Sequence, residues 1–246
     1  MPRRLIQLLS GLVLYGISDS MLLLAGLGVD PWDVLHQGLA RRTGVPTGTW
    51  SIIVGAVVLL GWIPLRQRPG LGTLCNVVLI GSVIDIMLAA VPPPHSLPVR
   101  AAVMASGVAL NGVATGLYIG AGLGPGPRDG LMTGFAARGH SLRVVRTAIE
   151  ATVLLAGWLL GGTVGVGTVV YAVSIGPLAH VFVPLFSRAA PAPGRVPPPL
   201  TSRVRATRPD AGARLRAWYP GRARDTPRSR RGAGRRAARS RRSAAR

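Results

Sequence analysis

The sequence predicts an all-α fold: a polytopic membrane helix bundle of about six transmembrane helices in two three-helix repeats, followed by a disordered C-terminal tail. Three observations lead there. Hydrophobic residues make up 48% of the chain and charged residues 15%, where a soluble domain carries about 25% charged residues. The charge is also confined. Residues 1–187 hold 11 Arg and 6 acidic residues, a net of +5, whereas residues 188–246 hold 18 Arg and 2 Asp, a net of +16. Finally, the apolar part repeats itself at an offset of 96 residues.

A bilayer core about 30 Å thick needs about 20 apolar helical residues to cross it. Six stretches fit or nearly fit: 5–27, 49–65, 71–91, 99–123, 144–160 and 165–186. The second and fifth are the shortest. Between them lie Gly28-Val29-Asp30-Pro31, Gln67-Arg68-Pro69-Gly70, Pro92-Pro93-Pro94 and Gly124-Pro125-Gly126-Pro127. Proline lacks an N–H and glycine is entropically costly to order, so these segments end helices.

The repeat is strongest across 25–40, where nine of sixteen positions recur 96 residues later. Chance at this composition gives roughly one or two. Ser10, Gly11, Leu14 and Gly16 return as Ser106, Gly107, Leu110 and Gly112, and Gly61-Trp62 returns as Gly157-Trp158. After a one-residue deletion, Gly72-Thr73 and Gly81 return as Gly167-Thr168 and Gly176. The first helix therefore has a counterpart in mid-chain, and it reads as a retained span rather than a cleaved leader. Repeat one covers about 5–91 and repeat two about 99–187. Three spans per repeat is an odd number, so the second copy enters the membrane from the opposite side. Such an inverted-topology repeat is found in many secondary transporters. Arginine placement favours both termini in the cytoplasm, since Arg41, Arg42 and Arg100 alone fall to the other side. The segments 32–42 and 128–138 leave a second arrangement open, in which each dips into the membrane.

Ionisable residues within apolar spans are costly and point to function. They are Asp19, Asp85, Glu150 and His180, with Asn76 and Asn111 as neutral polar company. Asp85 and His180 occupy matching positions and would approach one another if the repeats face across a two-fold axis. Ordinary polar contact between helices is the simpler expectation for both. Asp19 aligns with Thr115 one turn from a helix end, which suggests solvation at the interface. Glu150 lies one turn beyond Arg146, where an i, i+4 pair would form.

The repeated motif Ala-Gly-Leu-Gly-x-x-Pro-x-Asp is the most informative feature, at Ala25–Asp33 and Ala121–Asp129. A helix breaks at Gly28 and Gly124, and Pro31 and Pro127 begin another. Asp33 and Asp129 follow in the first turn, where the helix dipole favours a carboxylate. Two readings stay open: a helix start used twice, or a broken-helix substrate site with one half per repeat, built from Asp33, Asp129, Arg128 and Glu150. Under the second, Asp129 is expected to matter more, with Arg128, Arg143 and Arg146 near it in sequence.

No enzyme is expected. Gly122-x-Gly124-x-Gly126 follows a membrane helix and contains prolines, unlike a phosphate cradle, and no catalytic order of side chains emerges. Cys75 is alone and the four histidines lack metal-ligand spacing, so neither metal nor cofactor is expected. The tail, rich in Arg, Pro and Ala, cannot bury enough surface to order itself. Its charge suits anionic lipid headgroups. Trp218 and Tyr219 are too few for a stacking platform, which argues against nucleic acid. The lipid bilayer is the expected partner, and a homo-oligomer is left open.

Ala25 through Asp33, with Asn111-Gly112, Tyr118-Ile119 and Gly124 through Met132, resembles the YczE-like bacterial membrane proteins, relatives of the YitT group, over about residues 3–187. The resemblance implies a bacterial plasma-membrane protein and no established activity. Two functional classes follow from the residues. One is a small transporter or permease for a small molecule or ion. The other is a non-transporting membrane scaffold or regulatory protein.

Overall fold

A computed structural model describes residues 2–187; the tail expected at 188–246 lies outside the described residues. Among the described residues all regular structure is helical. The helices are α1 (Pro2–Ala25), α2 (Pro31–Thr43), α3 (Thr47–Leu60), α4 (Trp62–Leu65), α5 (Leu71–Ala90), α6 (Leu97–Gly120), α7 (Pro127–Ala136), α8 (Leu142–Leu159) and α9 (Val166–Phe186).

Five segments are long and apolar enough to cross a membrane: α1, α3 with α4, α5, α6 and α9. The fifth stretch of the sequence reading falls on α8, which has 18 residues but carries Arg143, Arg146 and Glu150. Arg146 Nε donates to Glu150 Oε1 at 2.9 Å, one helical turn away, so each charge partly neutralises the other. The bundle exposes large apolar side chains on its outside. Ile63, Ile86, Val169, Val173 and Leu185 are all more than half exposed. Lipid tails are as apolar as these side chains, so a membrane leaves no drive to bury them.

At the centre α1 and α6 run antiparallel. Gln7 Nε2 donates to the carbonyls of Leu117 at 3.0 Å and Phe186 at 3.2 Å. We call this end the near face. At the opposite, far face, Arg100 donates to the carbonyls of Ala25 at 2.7 Å and Gly26 at 2.9 Å. It thereby satisfies acceptors that the end of α1 leaves open. A Cβ on Gly11 would lie 2.8 Å from the Tyr118 amide nitrogen, and one on Gly107 would lie 3.2 Å from Met21 Cβ. The glycines are what let these helices approach.

Helices α2 and α7 have 13 and 10 residues, or about 20 and 15 Å. Neither crosses a core of about 30 Å. Asp30 and Asp33, at the start of α2, lie beside Asp19 of α1. Asp19 sits well before the end of α1, so the chain turns back into the bundle after Ala25. Helix α2 then climbs to the far face, where Arg41 and Arg42 donate to the carbonyls of Gly161 and Leu160. Helix α7 starts at the same central level and ends at the near face, where Arg138 donates to the Pro64 carbonyl. The segments 32–42 and 128–138 thus form half-helices that start at the centre of the bundle. Irregular backbone is tolerated at that depth only inside protein, and Val29 and Asp30 are fully buried.

Glycine conformation makes both turn-backs possible. Gly26 and Gly28 have φ of +61° and +109°, and Gly122 and Gly124 have φ of +64° and +126°. Side-chain-bearing residues rarely adopt such values. Each turn docks on the start of a span from the other sequence repeat. The Gly167 amide donates to the Leu27 carbonyl at 2.8 Å, and the Gly72 amide to the Leu123 carbonyl at 2.9 Å.

Corresponding contacts are not all alike. Gly81 of α5 abuts the Gly48 carbonyl of α3 so closely that a Cβ would collide with it, whereas its counterpart Gly176 of α9 has nothing within 4 Å. Gly81→Ala is therefore expected to lower stability by about 1–3 kcal/mol through overpacking. Gly176→Ala is expected to be neutral, or to gain up to about 1 kcal/mol of helix propensity. Detergent melting temperatures of the two variants check this, and equal losses would remove the distinction.

Candidate functional site

The half-helices meet start to start. Asp30 caps α2: its Oδ1 accepts from the Trp32 amide at 2.8 Å and the Asp33 amide at 3.1 Å. Pro31 at the first helical position fits this geometry. His36, one turn into α2, shares a 3.0 Å contact between its Nδ1 and Asp33 Oδ1. From the other side Arg128, the second residue of α7, reaches across. Its guanidinium nitrogens lie 3.5 Å from Asp30 Oδ1 and 4.0 Å from Asp33 Oδ1. Its Cζ lies 5.0 Å from the centre of the Trp32 ring, a cation–π separation. Trp32 and Arg128 are the same position of the motif in its two copies.

Behind this junction α1 and α6 supply more polar groups. Asn111 Nδ2 donates to Ser18 Oγ at 2.8 Å and Asp19 Oδ1 at 2.9 Å, and the Tyr171 hydroxyl donates to Asn111 Oδ1 at 3.1 Å. On the near-face side lies a cavity of about 200 Å³. It is lined by Ser51 of α3, Asn76 of α5, Tyr118 of α6, Arg146 of α8 and Ala179 of α9, with Trp32 and Arg128 at its inner end. Gly176, with open space beside it, also lines the cavity. Arg128 is 27% exposed, so the guanidinium belongs both to the acidic cluster and to the cavity.

The structure gathers Asp33 and Arg128 into one centre and corrects four expectations. Asp19 is not solvated at an interface; it is buried and bonded to Asn111. Asp129 does not have the denser polar surrounding. Its Oδ2 accepts from the Tyr118 hydroxyl at 2.7 Å, while Arg128 turns away from it to Asp30 and Asp33. Asp85 and His180 do not meet: Asp85 accepts from the Gly48 amide at 2.6 Å and the Thr49 hydroxyl at 2.7 Å, and His180 is exposed on α9. Glu150 stays outside the centre, paired with Arg146. Gly28, Pro31, Gly124 and Pro127 form the two turns as the motif implied. Asp30, His36 and Tyr15, which lines the cavity, were not singled out from sequence. Asp30 carried a readable signal, an Asp immediately before a Pro-initiated helix.

Over residues 2–184 the chain matches a family described as a family of unknown function, DUF6198. It belongs to this family. An uncharacterized protein of Haemophilus influenzae is 43% identical over 182 residues, covering 74% of this chain and 84% of that one. The uncharacterized membrane protein YczE of Bacillus subtilis is 38% identical over 161 residues, 64% of this chain and 74% of YczE. The uncharacterized protein YyaS of the same organism is 28% identical over 185 residues, 72% and 91% of the two chains. No solved structure matches. The kinship with YczE agrees with the resemblance read from the motif. Together with the apolar helices it makes this DUF6198 member a membrane-embedded helical protein.

In this DUF6198 chain the buried ion pairing is the feature most exposed to mutation. Breaking a buried pair by removing one partner costs about 3–5 kcal/mol. Arg128→Met is expected to lose about that much, and adding Asp33→Asn to recover part of it. Asp129→Asn keeps an oxygen for the Tyr118 hydroxyl and loses about 0.3–1 kcal/mol of charge–dipole energy. Melting temperatures of the three variants in detergent check the ranking.

Proposed function

We propose that the chain is a small transporter of the bacterial plasma membrane, in which two inverted repeats alternately close the near and far faces around the Trp32–Arg128 junction. The observation that supports this reading is the unequal closure of corresponding helix pairs. On the far-face side α3 and α5 are in contact at Gly48 and Gly81, and Asp85 ties them together. On the near-face side α9 leaves Gly176 open beside the cavity, and α8 lies instead against α2 and α7. One sequence repeat is shut where its copy is open, and this is the asymmetry that alternating access requires.

The near face is the cytoplasmic one in this reading. Near-face segments carry Arg3, Arg4, Arg66, Arg68, Arg138 and Arg143, against Arg41, Arg42 and Arg100 on the far face, a bias that supports near-face loops on the cytoplasmic side. The substrate is a small polar solute, because the cavity ends on Arg128 with Ser51, Asn76 and Asp129 around it. Arginine at the inner end favours an anionic group on that solute.

Thiol chemistry in a Cys75→Ser background tests the reading. Ala179→Cys is expected to react with an impermeant reagent from the cytoplasmic side only. Val145→Cys with His180→Cys, the counterparts of Thr49 and Asp85, is expected to cross-link as the near face closes and to protect Cys at 179. Labelling at 179 without any 145–180 cross-link would describe a static membrane scaffold instead.

A further inference from the structure

Asp19 of α1, Asp30 of the turn before α2 and Asp33 of α2 converge from three segments. One carboxylate oxygen of each lies within 4.8 Å of one from each of the others, and all three residues are at most 2% exposed. Their oxygens divide in the same way. Every Oδ1 has a protein partner: Asn111 for Asp19, the Trp32 and Asp33 amides for Asp30, and His36 for Asp33. Every Oδ2 is buried with no hydrogen-bond partner. Buried acceptors left unpartnered are rare in folded proteins and call for an occupant or a role.

Charge leads to the same place. Three carboxylates face one guanidinium, that of Arg128, whose nearest approaches are to the Oδ1 atoms of Asp30 and Asp33. Asp19 has no arginine contact among the described ion pairs. Buried charges are paired or coordinate metals. Two oxygens on opposite sides of an ion at about 2.4 Å, a bond length typical of calcium, are about 4.8 Å apart, and the oxygens here lie within that span. An all-oxygen, carboxylate-rich donor set selects hard ions such as magnesium, calcium or an alkali cation, not the soft metals that thiolates prefer.

We propose that Asp19, Asp30 and Asp33 bind a small hard metal cation at the junction of the half-helices. This binding stands whether or not the chain transports a solute. Under the transport reading it is the coupling ion, since Arg128 contacts both the carboxylates and the cavity.

The test is the melting temperature of the full chain in detergent. Choline chloride is replaced at constant ionic strength by sodium, lithium, potassium, magnesium or calcium chloride. At least one of these ions is expected to raise the melting temperature saturably, and the series tells a monovalent site from a divalent one. Asp19→Asn and Asp30→Asn are expected to weaken the apparent affinity at least tenfold. Glu150→Gln, outside the cluster, keeps the wild-type value. Titration calorimetry of the wild-type chain with the same ion gives a measurement that survives if a variant does not fold. No response beyond choline overturns the proposal. So does a response unchanged in Asp19→Asn and Asp30→Asn, or stabilisation by lowered pH alone, which would make protons the occupants. Ion binding in a protein that forms no 145–180 cross-link would retain this site and remove the transport reading.

Discussion

Two helix N-termini pointed at each other inside a membrane repel. Each carries roughly half a positive charge and unsatisfied amides, and a low-dielectric surrounding screens them little. Helices α2 and α7 are in this arrangement, and Arg128 adds a full positive charge to it. Buried acids hold the junction together. Asp30 takes two amides of α2, Asp33 lies in the first turn of the same helix, and both face Arg128. Asp129 lies in the first turn of α7, held by the Tyr118 hydroxyl. These carboxylates offset the positive helix starts at the centre, while the Gly167 and Gly72 amides pair the turn carbonyls of Leu27 and Leu123.

The second requirement is close backbone approach. Lipid supplies no hydrophobic drive for helix association, so contact surfaces and hydrogen bonds must hold the bundle. Gly11 and Gly107 bring α1 and α6 together, and Gly28 and Gly124 admit the starts of α9 and α5 into the two turns. At Gly124 a side chain would meet the Thr73 hydroxyl at 3.0 Å, and at Gly28 the Thr168 hydroxyl at 2.7 Å. Those two threonines are themselves a repeated pair. Each hydroxyl accepts from the glycine amide three residues before it, at the start of its own helix, and Thr73 also donates to the Pro125 carbonyl at 2.7 Å.

Much of this was legible before any coordinates. The apolar stretches, the Gly-x-x-Pro punctuation and the 96-residue offset mark helix spans and two equivalent breaks, because those features depend on local backbone chemistry. What was not legible depends on distance through space. The burial of Asp19 rests on Asn111, which is 92 residues away, and no spacing along one helix reports that contact. Asp30 is not part of the repeated motif, since its counterpart is Gly126. Arg128 counts among the cytoplasmic arginines in the charge-bias reading, whereas the broken-helix reading groups it with Asp33. Its partners, Asp30 and Asp33, belong to the other copy of the motif.

The contact between Trp32 and Arg128 shows how a chain with two copies of one motif charges a buried junction. A residue near a two-fold axis meets its own counterpart, so identity there is self-defeating. Two arginines at the position of Trp32 and Arg128 would repel, and two tryptophans would leave Asp30 and Asp33 without a counter-charge. The copies agree where backbone must turn, at Gly26, Gly28 and Pro31 and their partners, and share Asp33 and Asp129, but differ at five other positions of the centre. Tyr15 answers Asn111, Asp19 answers Thr115, Asp30 answers Gly126, Trp32 answers Arg128 and His36 answers Met132. Each of these five pairs places at least one member within the hydrogen-bonded or ion-paired cluster. The shared positions carry the geometry of the fold, and the divergent ones give its centre one acidic side and one basic side. The difference between Trp32 and Arg128 thus lets the junction carry a charge without placing like charges in contact.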